Sequence, residues 1–146
     1  MSKARGIKIR HLESIKGGMA EFFTPQASDE TILVQIPPNT VDDLFVHKTQ
    51  TDQLLVVKGR LVLVILIDKQ YQYIPLSDEH PMVVTIPPGV LHGAINLSSQ
   101  ACVVVNALLR HKPLQEQDYV TRRRPFSYDL AVAEAALKEL DVITTA

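Results

Sequence analysis

Apolar residues in this chain come in short runs, none longer than the seven of Leu61 to Ile67, and nearly every run stops at glycine, proline or a cluster of small polar residues. A run of that length suits a buried strand and falls far short of the roughly 20 residues a membrane-spanning helix requires. Ile32-Leu33-Val34-Gln35-Ile36 ends at Pro37-Pro38, which cannot donate to a β-ladder. Leu54 to Val57 and Leu61 to Ile67 flank Lys58-Gly59 and read as a hairpin, as do Ile7 to Ile15 and Met19 to Phe23 around Lys16-Gly17-Gly18. Leu91 to Leu97 and Ala101 to Leu109 are joined tightly through Ser98-Ser99-Gln100. Evenly spaced short strands with such punctuation predict a sandwich or closed barrel.

The period changes only after Pro125-Phe126. Ser127 can cap a helix reaching to about residue 140, with Leu130, Ala133, Leu137 and Leu140 on one face and with Asp129 and Lys138 suiting the dipole. The expected architecture is therefore all-β, with an N-terminal hairpin, a barrel core over about 31–110 and a C-terminal helix over about 127–140. At 146 residues, one domain spanning 1–146 has room for a real core. A net charge of −1 supplies no positive field to attract nucleic acid or acidic lipid. The lone Cys102, inside an apolar run, is expected to be a buried, inert thiol. The basic N-terminus leads into Ile7-Lys8-Ile9-Arg10 and not into an apolar signal core, so a cytoplasmic location is expected, with neither nucleic acid nor membrane as partner.

The most informative segment is Ile86-Pro87-Pro88-Gly89-Val90-Leu91-His92-Gly93-Ala94-Ile95-Asn96. From Pro87 onward it has the pattern P-x-G-x-x-H-x-x-x-N, and it resembles the second motif of the cupin barrels. The spacing has a physical reason: Pro and Gly turn the chain at the barrel mouth, and the strand period of two then sends His92, Ala94 and Asn96 to one face. The first cupin motif is altered. His47 stands for its first histidine and Gly59 for its glycine, Thr49 occupies the second histidine position, and Asp52 falls at the acid position. A divalent metal wants three or four imidazole or carboxylate ligands. No metal is favoured here; if one binds, its ligands are His47, Asp52 and His92, with Gln53 a weak substitute.

Leu54-Leu55-Val56-Val57-Lys58-Gly59-Arg60-Leu61-Val62-Leu63-Val64 with Asp68, Ile74-Pro75-Leu76-Ser77-Asp78-Glu79-His80, and Ile86 to Gly93 with Leu97-Ser98 carry a narrower resemblance. Over about 44–110 the chain is similar to the dTDP-4-dehydrorhamnose 3,5-epimerase family, which implies a double-stranded β-helix (jelly-roll) barrel. It also implies a homodimer and a small-molecule ligand, a nucleotide sugar being one candidate, worked on without a metal by a histidine base and a tyrosine acid. The resemblance makes His47 the base, with His92 beside it. Asn96, Arg60 and Arg110 are candidate ligand contacts. The chain departs from the family at three places. Leu44, Phe45 and Val46 replace an arginine-glycine pair, the tyrosine position falls on Val105, and Arg122 to Asp129 supplies no aspartate partner for the histidine. Three functions stay open: an epimerase-like or isomerase-like cupin, a metal-dependent cupin enzyme (isomerase or dioxygenase), and a non-catalytic module that binds or senses a metabolite.

Overall fold

The computed structural model describes residues 6–14, 22–23, 27–113 and 118–144. In chain order the elements are β1 (Lys8–His11), β2 (Glu13–Ser14), β3 (Phe22–Phe23), β4 (Glu30–Ile36), β5 (Thr40–Val41), β6 (Leu44–His47) and β7 (Gln50–Lys58). They continue with β8 (Arg60–Ile67), β9 (Gln70–Ser77), β10 (Met82–Ile86), β11 (Leu91–Asn96), β12 (Cys102–Arg110), β13 (Tyr119–Arg122) and α1 (Leu130–Thr144). One sheet has the order β1-β10-β7-β12-β4; the other runs β13-β6-β11-β8-β9, with β5 also pairing with β11. All pairings are antiparallel. No described helix is long and apolar enough to cross a membrane.

The strands lie where the apolar runs predict, but two connections differ from expectation. β7 belongs to one sheet and β8 to the other, so Lys58-Gly59 is a corner between sheets and not a hairpin; Ser98-Ser99-Gln100 likewise carries the chain from β11 across to β12. Each corner lets a strand pair with a partner distant in sequence, as in a jelly roll. The true hairpin is β8–β9, where Ile67 pairs with Gln70 around Asp68 and Lys69. Both loop residues have positive φ, 50° and 65°, which matches the twist of the flanking strands in a two-residue turn. At the N-terminus, residues 7 to 14 do not form one strand: β1 pairs with β10, and only β2 pairs with β3. The expected turn at Lys16-Gly17-Gly18 lies outside the described residues.

β8 is apolar at nearly every position because both of its faces are covered. Leu61, Leu63 and Ile65 enter the cluster between the sheets, with Val56, Val84, Ile86 and Val104. Val62 and Val64 enter a second cluster with Leu44, Ile95, Tyr128 and Ala133, beneath α1. The helix starts three residues later than expected. Asp129, not Ser127, is its cap: its Oδ1 accepts from the backbone N–H groups of Ala131 (3.1 Å) and Val132 (3.2 Å). The stretch before it is pinned to the sheet, since Tyr128 OH donates to the Asp42 carbonyl (2.8 Å) and the Asp129 N–H donates to Tyr73 OH (2.7 Å). Ala133 and Leu140 are buried as the helical stripe requires, whereas Leu130, in the first turn, is exposed.

Gly93 shows how closely this outer segment presses on the sheet. A Cβ there would lie 2.8 Å from Tyr128 OH and 2.9 Å from the Asp43 carbonyl. Gly93→Ala should therefore cost about 1–3 kcal/mol through over-packing, read as a lower denaturant midpoint at unchanged slope. Unchanged stability would show that the segment does not seat on β11.

Candidate active site

The two motif histidines meet because the backbone ties their strands together. β6 ends at His47, and the Pro87-Pro88-Gly89 turn returns the chain so that the Gly89 N–H donates to the His47 carbonyl at 2.8 Å. Gly89 sits at φ 82°, in the left-handed region where a side chain would be strained. Within the sheet His92 pairs with Phe45, and His47 pairs with Tyr119. Paired residues share a face, as do residues two apart, so Phe45, His47, His92 and Tyr119 all point between the sheets. There they line a cavity of about 380 Å³, together with Gln50, Asp52, Leu54, Val104 and Asn106 from the facing sheet. The ring centroids of His47 and His92 are 6.3 Å apart.

A carboxylate lies on either side of His47. Its Nδ1 is 3.2 Å from Asp118 Oδ2, and its Nε2 is 3.5 Å from Asp52 Oδ2 and 3.4 Å from Gln50 Nε2. Asp118 is held from the other side by Thr49, whose N–H donates to Oδ1 at 2.6 Å and whose hydroxyl donates to the same oxygen. Burial pushes the Asp118 carboxyl up, but the hydrogen bonds from Thr49 and His47 outweigh it and leave the pKa below the ordinary carboxyl value. Asp52 follows the same pattern in the barrel. It is 3% exposed, and burial works against its charge; His92, the side-chain amides of Gln50 (2.7 Å) and Asn106 (2.9 Å), and the charge of His47 lower its pKa overall.

His92 has one satisfied nitrogen and one that is not. Its Nδ1 is 2.9 Å from the Val90 carbonyl, which can only accept, so this nitrogen carries a hydrogen. Its buried Nε2 lies 3.3 Å from Asp52 Oδ2 but off the line of a hydrogen bond, which makes the contact ionic and leaves Nε2 without a hydrogen-bond partner. That contact attracts only when a hydrogen lies between the two atoms. The cluster His47–Asp52–His92 is thus centred on Asp52 Oδ2, on which both imidazoles converge. Its ligand atoms do not all lie within 4.8 Å of one another. Among the described residues, the one trio of His, Cys, Asp or Glu ligand atoms lying within 4.8 Å of one another is Glu79, His80 and Asp141, outside the cavity lining. Metal–nitrogen bonds of about 2.0–2.1 Å would require the two histidines to close in.

The other residues singled out from sequence are engaged elsewhere. Asn96 is fully buried and clamps the corner after β11. Its amide donates to the carbonyls of Ile36, Pro37 and Gln100, and its oxygen accepts from the N–H and hydroxyl of Ser98. Arg60 ion-pairs with Asp141 on α1, and Arg110 with Glu30 on β4 while also donating to Gln50; neither lines the cavity. Gln53 donates to the carbonyls of Ala27 and Ala107. The Cys102 thiol is fully buried, and burial pushes its pKa up to about 11.

Sequence reasoning missed two residues and misplaced a third. Asp118 is the aspartate partner of His47, lying just upstream of the segment from Arg122 to Asp129 in which none is found. Tyr119 brings a phenol to the cavity beside His47, with rings 5.5 Å apart; burial raises its pKa. The signal for both was the short run Asp118-Tyr119-Val120-Thr121, a strand whose partner is β6. Val105 does not face the ligand space. It pairs with Leu33 and Leu55, and its neighbours Val104 and Asn106 line the cavity instead.

No protein-family model and no curated protein matches the chain by sequence. Its fold, two antiparallel sheets and a C-terminal helix, is that of the cupin jelly-roll barrels. Among solved structures it resembles a dTDP sugar isomerase from Desulfovibrio desulfuricans G20 (TM-score 0.70, 18% identity, 88% of this chain and 96% of that one). It also resembles QdtA, a sugar 3,4-ketoisomerase from Thermoanaerobacterium thermosaccharolyticum in complex with TDP (TM-score 0.65, 15% identity, 94% and 98% covered). A third similar structure is the dTDP-4-dehydrorhamnose 3,5-epimerase from Elizabethkingia anophelis NUHP1 (TM-score 0.68, 12% identity, 83% and 77% covered).

The two lowered carboxyls make stability depend on acid. A depressed folded-state pKa contributes stability that is fully present above the unfolded-chain value, near pH 4, and is lost as pH falls toward the folded-state value. Melting temperatures recorded from about pH 6 down to about pH 2.5 should therefore fall steeply below about pH 4 and less steeply in Asp52→Asn and Asp118→Asn. Parallel curves for all three proteins would show that neither carboxyl is selectively stabilised as an anion.

Proposed function

We propose that the barrel binds a small carbonyl-bearing ligand of carbohydrate type and that His47 moves a proton on the carbon beside the carbonyl, as an isomerase does. The observation that carries this reading is the His47–Asp118 pair opening onto the cavity. Asp118 fixes the imidazole through Nδ1, and Nε2, 3.4 Å from Gln50 Nε2 and 3.5 Å from Asp52 Oδ2, is the nitrogen on the cavity side that a general base would use. For an α-hydroxyketone, His47 takes the proton from the hydroxyl-bearing carbon to give an enediolate. The His92–Asp52 cluster faces the oxygens and can exchange a hydrogen with them. Return of the proton from His47 to the former carbonyl carbon shifts the carbonyl by one position, with no net change in atoms or charge.

This chemistry needs one face of the ligand only. Inversion at two carbons needs a donor on the opposite face, and Tyr119 stands next to His47 as its cross-strand pair. A carbonyl shift thus suits the site better than a 3,5-epimerisation, and the similarity to a sugar isomerase and a sugar 3,4-ketoisomerase supports it. In deuterated water, NMR should show the protein catalysing deuterium uptake beside the ketone of a 4-keto-6-deoxy sugar. His47→Asn should slow uptake by about 10² to 10⁴, and Asp118→Asn on the order of tenfold to a hundredfold by misplacing the ring. Thermal stabilisation by ligand without uptake would make the barrel a binding module.

We also propose that the chain works as a homodimer. β4 is an edge strand whose Leu33 is 71% exposed, and such an edge is best protected by a second copy. Light scattering should give twice the chain mass, and a monomer mass would remove the proposal.

A further inference from the structure

The cavity lining is sharply divided. Its polar members are His47, Asp52, His92 and Tyr119 together with Gln35, Asp42, Gln50 and Asn106; much of the rest is Ile32, Val34, Leu54, Leu61, Leu63 and Val104. No lysine or arginine lines it among the described residues, whereas two aspartates, Asp42 and Asp52, do. Three arginines near the lining strands are committed elsewhere: Arg60 to Asp141, Arg110 to Glu30 and Gln50, and Arg124 to Asp43 and the Tyr128 ring. Most polar atoms at the inner end are also committed to one another. Both Gln50 Nε2 and Asn106 Nδ2 donate to Asp52 Oδ1, Asn106 Oδ1 accepts from the Gln53 N–H, and Gln50 Oε1 accepts from Arg110. A ligand thus finds few hydrogen-bonding atoms on one edge and a hydrocarbon wall against the rest of its surface.

From this division we infer that the occupant is an uncharged hydroxyketone with one polar, enolisable edge and one apolar face, and that no phosphate group enters the barrel. A phosphate there would exchange its hydration for two carboxylates and an apolar wall, with no lysine or arginine among the described lining residues to offset the loss. An alkyl or deoxy face gains by covering the Ile32–Val34 and Leu61–Leu63 surfaces. The edge bearing the carbonyl is then directed to His47 and His92, so shape and polarity together orient the reacting carbons. The inference rests on the proton-transfer reading for the reaction but not for the preference, which is set by the lining alone.

The test uses four probes with the full chain: thymidine 5′-diphosphate, dTDP-4-keto-6-deoxyglucose, the free 4-keto-6-deoxy sugar, and the neutral hydroxyketone 3-hydroxy-2-butanone. Binding is measured by thermal shift and proton transfer by deuterium uptake. The two neutral probes should stabilise the protein and exchange, the free sugar at least as fast as its nucleotide-linked form, and thymidine 5′-diphosphate should neither stabilise nor compete. Ile32→Arg, a change at a partly exposed lining position, should create binding of thymidine 5′-diphosphate and weaken that of the neutral probes by about tenfold. Competition by thymidine 5′-diphosphate in the unaltered protein, or uptake about tenfold faster with the nucleotide-linked sugar, would overturn the inference. Neutral probes that bind without exchange would uphold the preference while removing the proposed reaction.

Discussion

A carboxylate at 3% exposure is tolerated only if its surroundings replace the water it has lost, and Asp52 is the point in this barrel where that requirement is met. Two side-chain amides from its own sheet satisfy one oxygen, and the imidazoles of the opposite sheet converge on the other. The anion therefore links the two sheets across the cavity. Removing it would leave Gln50, Asn106 and His92 facing an empty polar site. Keeping it means that a negative charge is fixed in the cavity between the two imidazoles.

The fold supports this centre through its corners. Had β7 and β8 formed a hairpin, Asp52 would lie in the same sheet as the strand that follows it, and His92 on β11 would be its in-plane neighbour. Because the chain crosses between sheets after Lys58 and again after Asn96, β7 and β12 face β6 and β11 across the core. Asn96 accounts for the firmness of the second corner, since its side chain takes up three carbonyls and two donors that a tight, buried crossing would otherwise strand.

What was legible in the sequence follows the range of the interactions concerned. Strand positions are set by apolar periodicity and by Pro and Gly, which act locally, so β4, β8, β11 and β12 fall where the pattern places them. Sheet membership is not local: glycine at a corner and glycine in a hairpin look alike, and Asp68-Lys69 carries no glycine although both residues adopt positive φ. His92 was recognisable because its turn, strand and inward face are encoded within ten residues. Asp118 and Tyr119 were hidden because their relation to His47 is a pairing between strands separated by about seventy residues, with nothing in either segment to announce it. Val105 shows the converse error. A position aligned by motif counting is displaced by one residue from the inward face, and a one-residue shift in a strand reverses its direction.

The altered first motif now has a physical meaning. Thr49 stands where cupins of the metal-binding pattern have a histidine, and that replacement looks like loss when only ligands are counted. In the folded chain Thr49 points instead to Asp118, giving its N–H and hydroxyl to one carboxylate oxygen and leaving the other oxygen for His47. A histidine at this position would bring a bulky ring in place of the small hydroxyl that seats Asp118. The exchange of one side chain thus trades a prospective third imidazole for a fixed carboxylate behind the first. The carboxylate so placed holds His47 through Nδ1. The departure from the motif and the seating of Asp118 beside His47 thus meet in one side chain, that of Thr49.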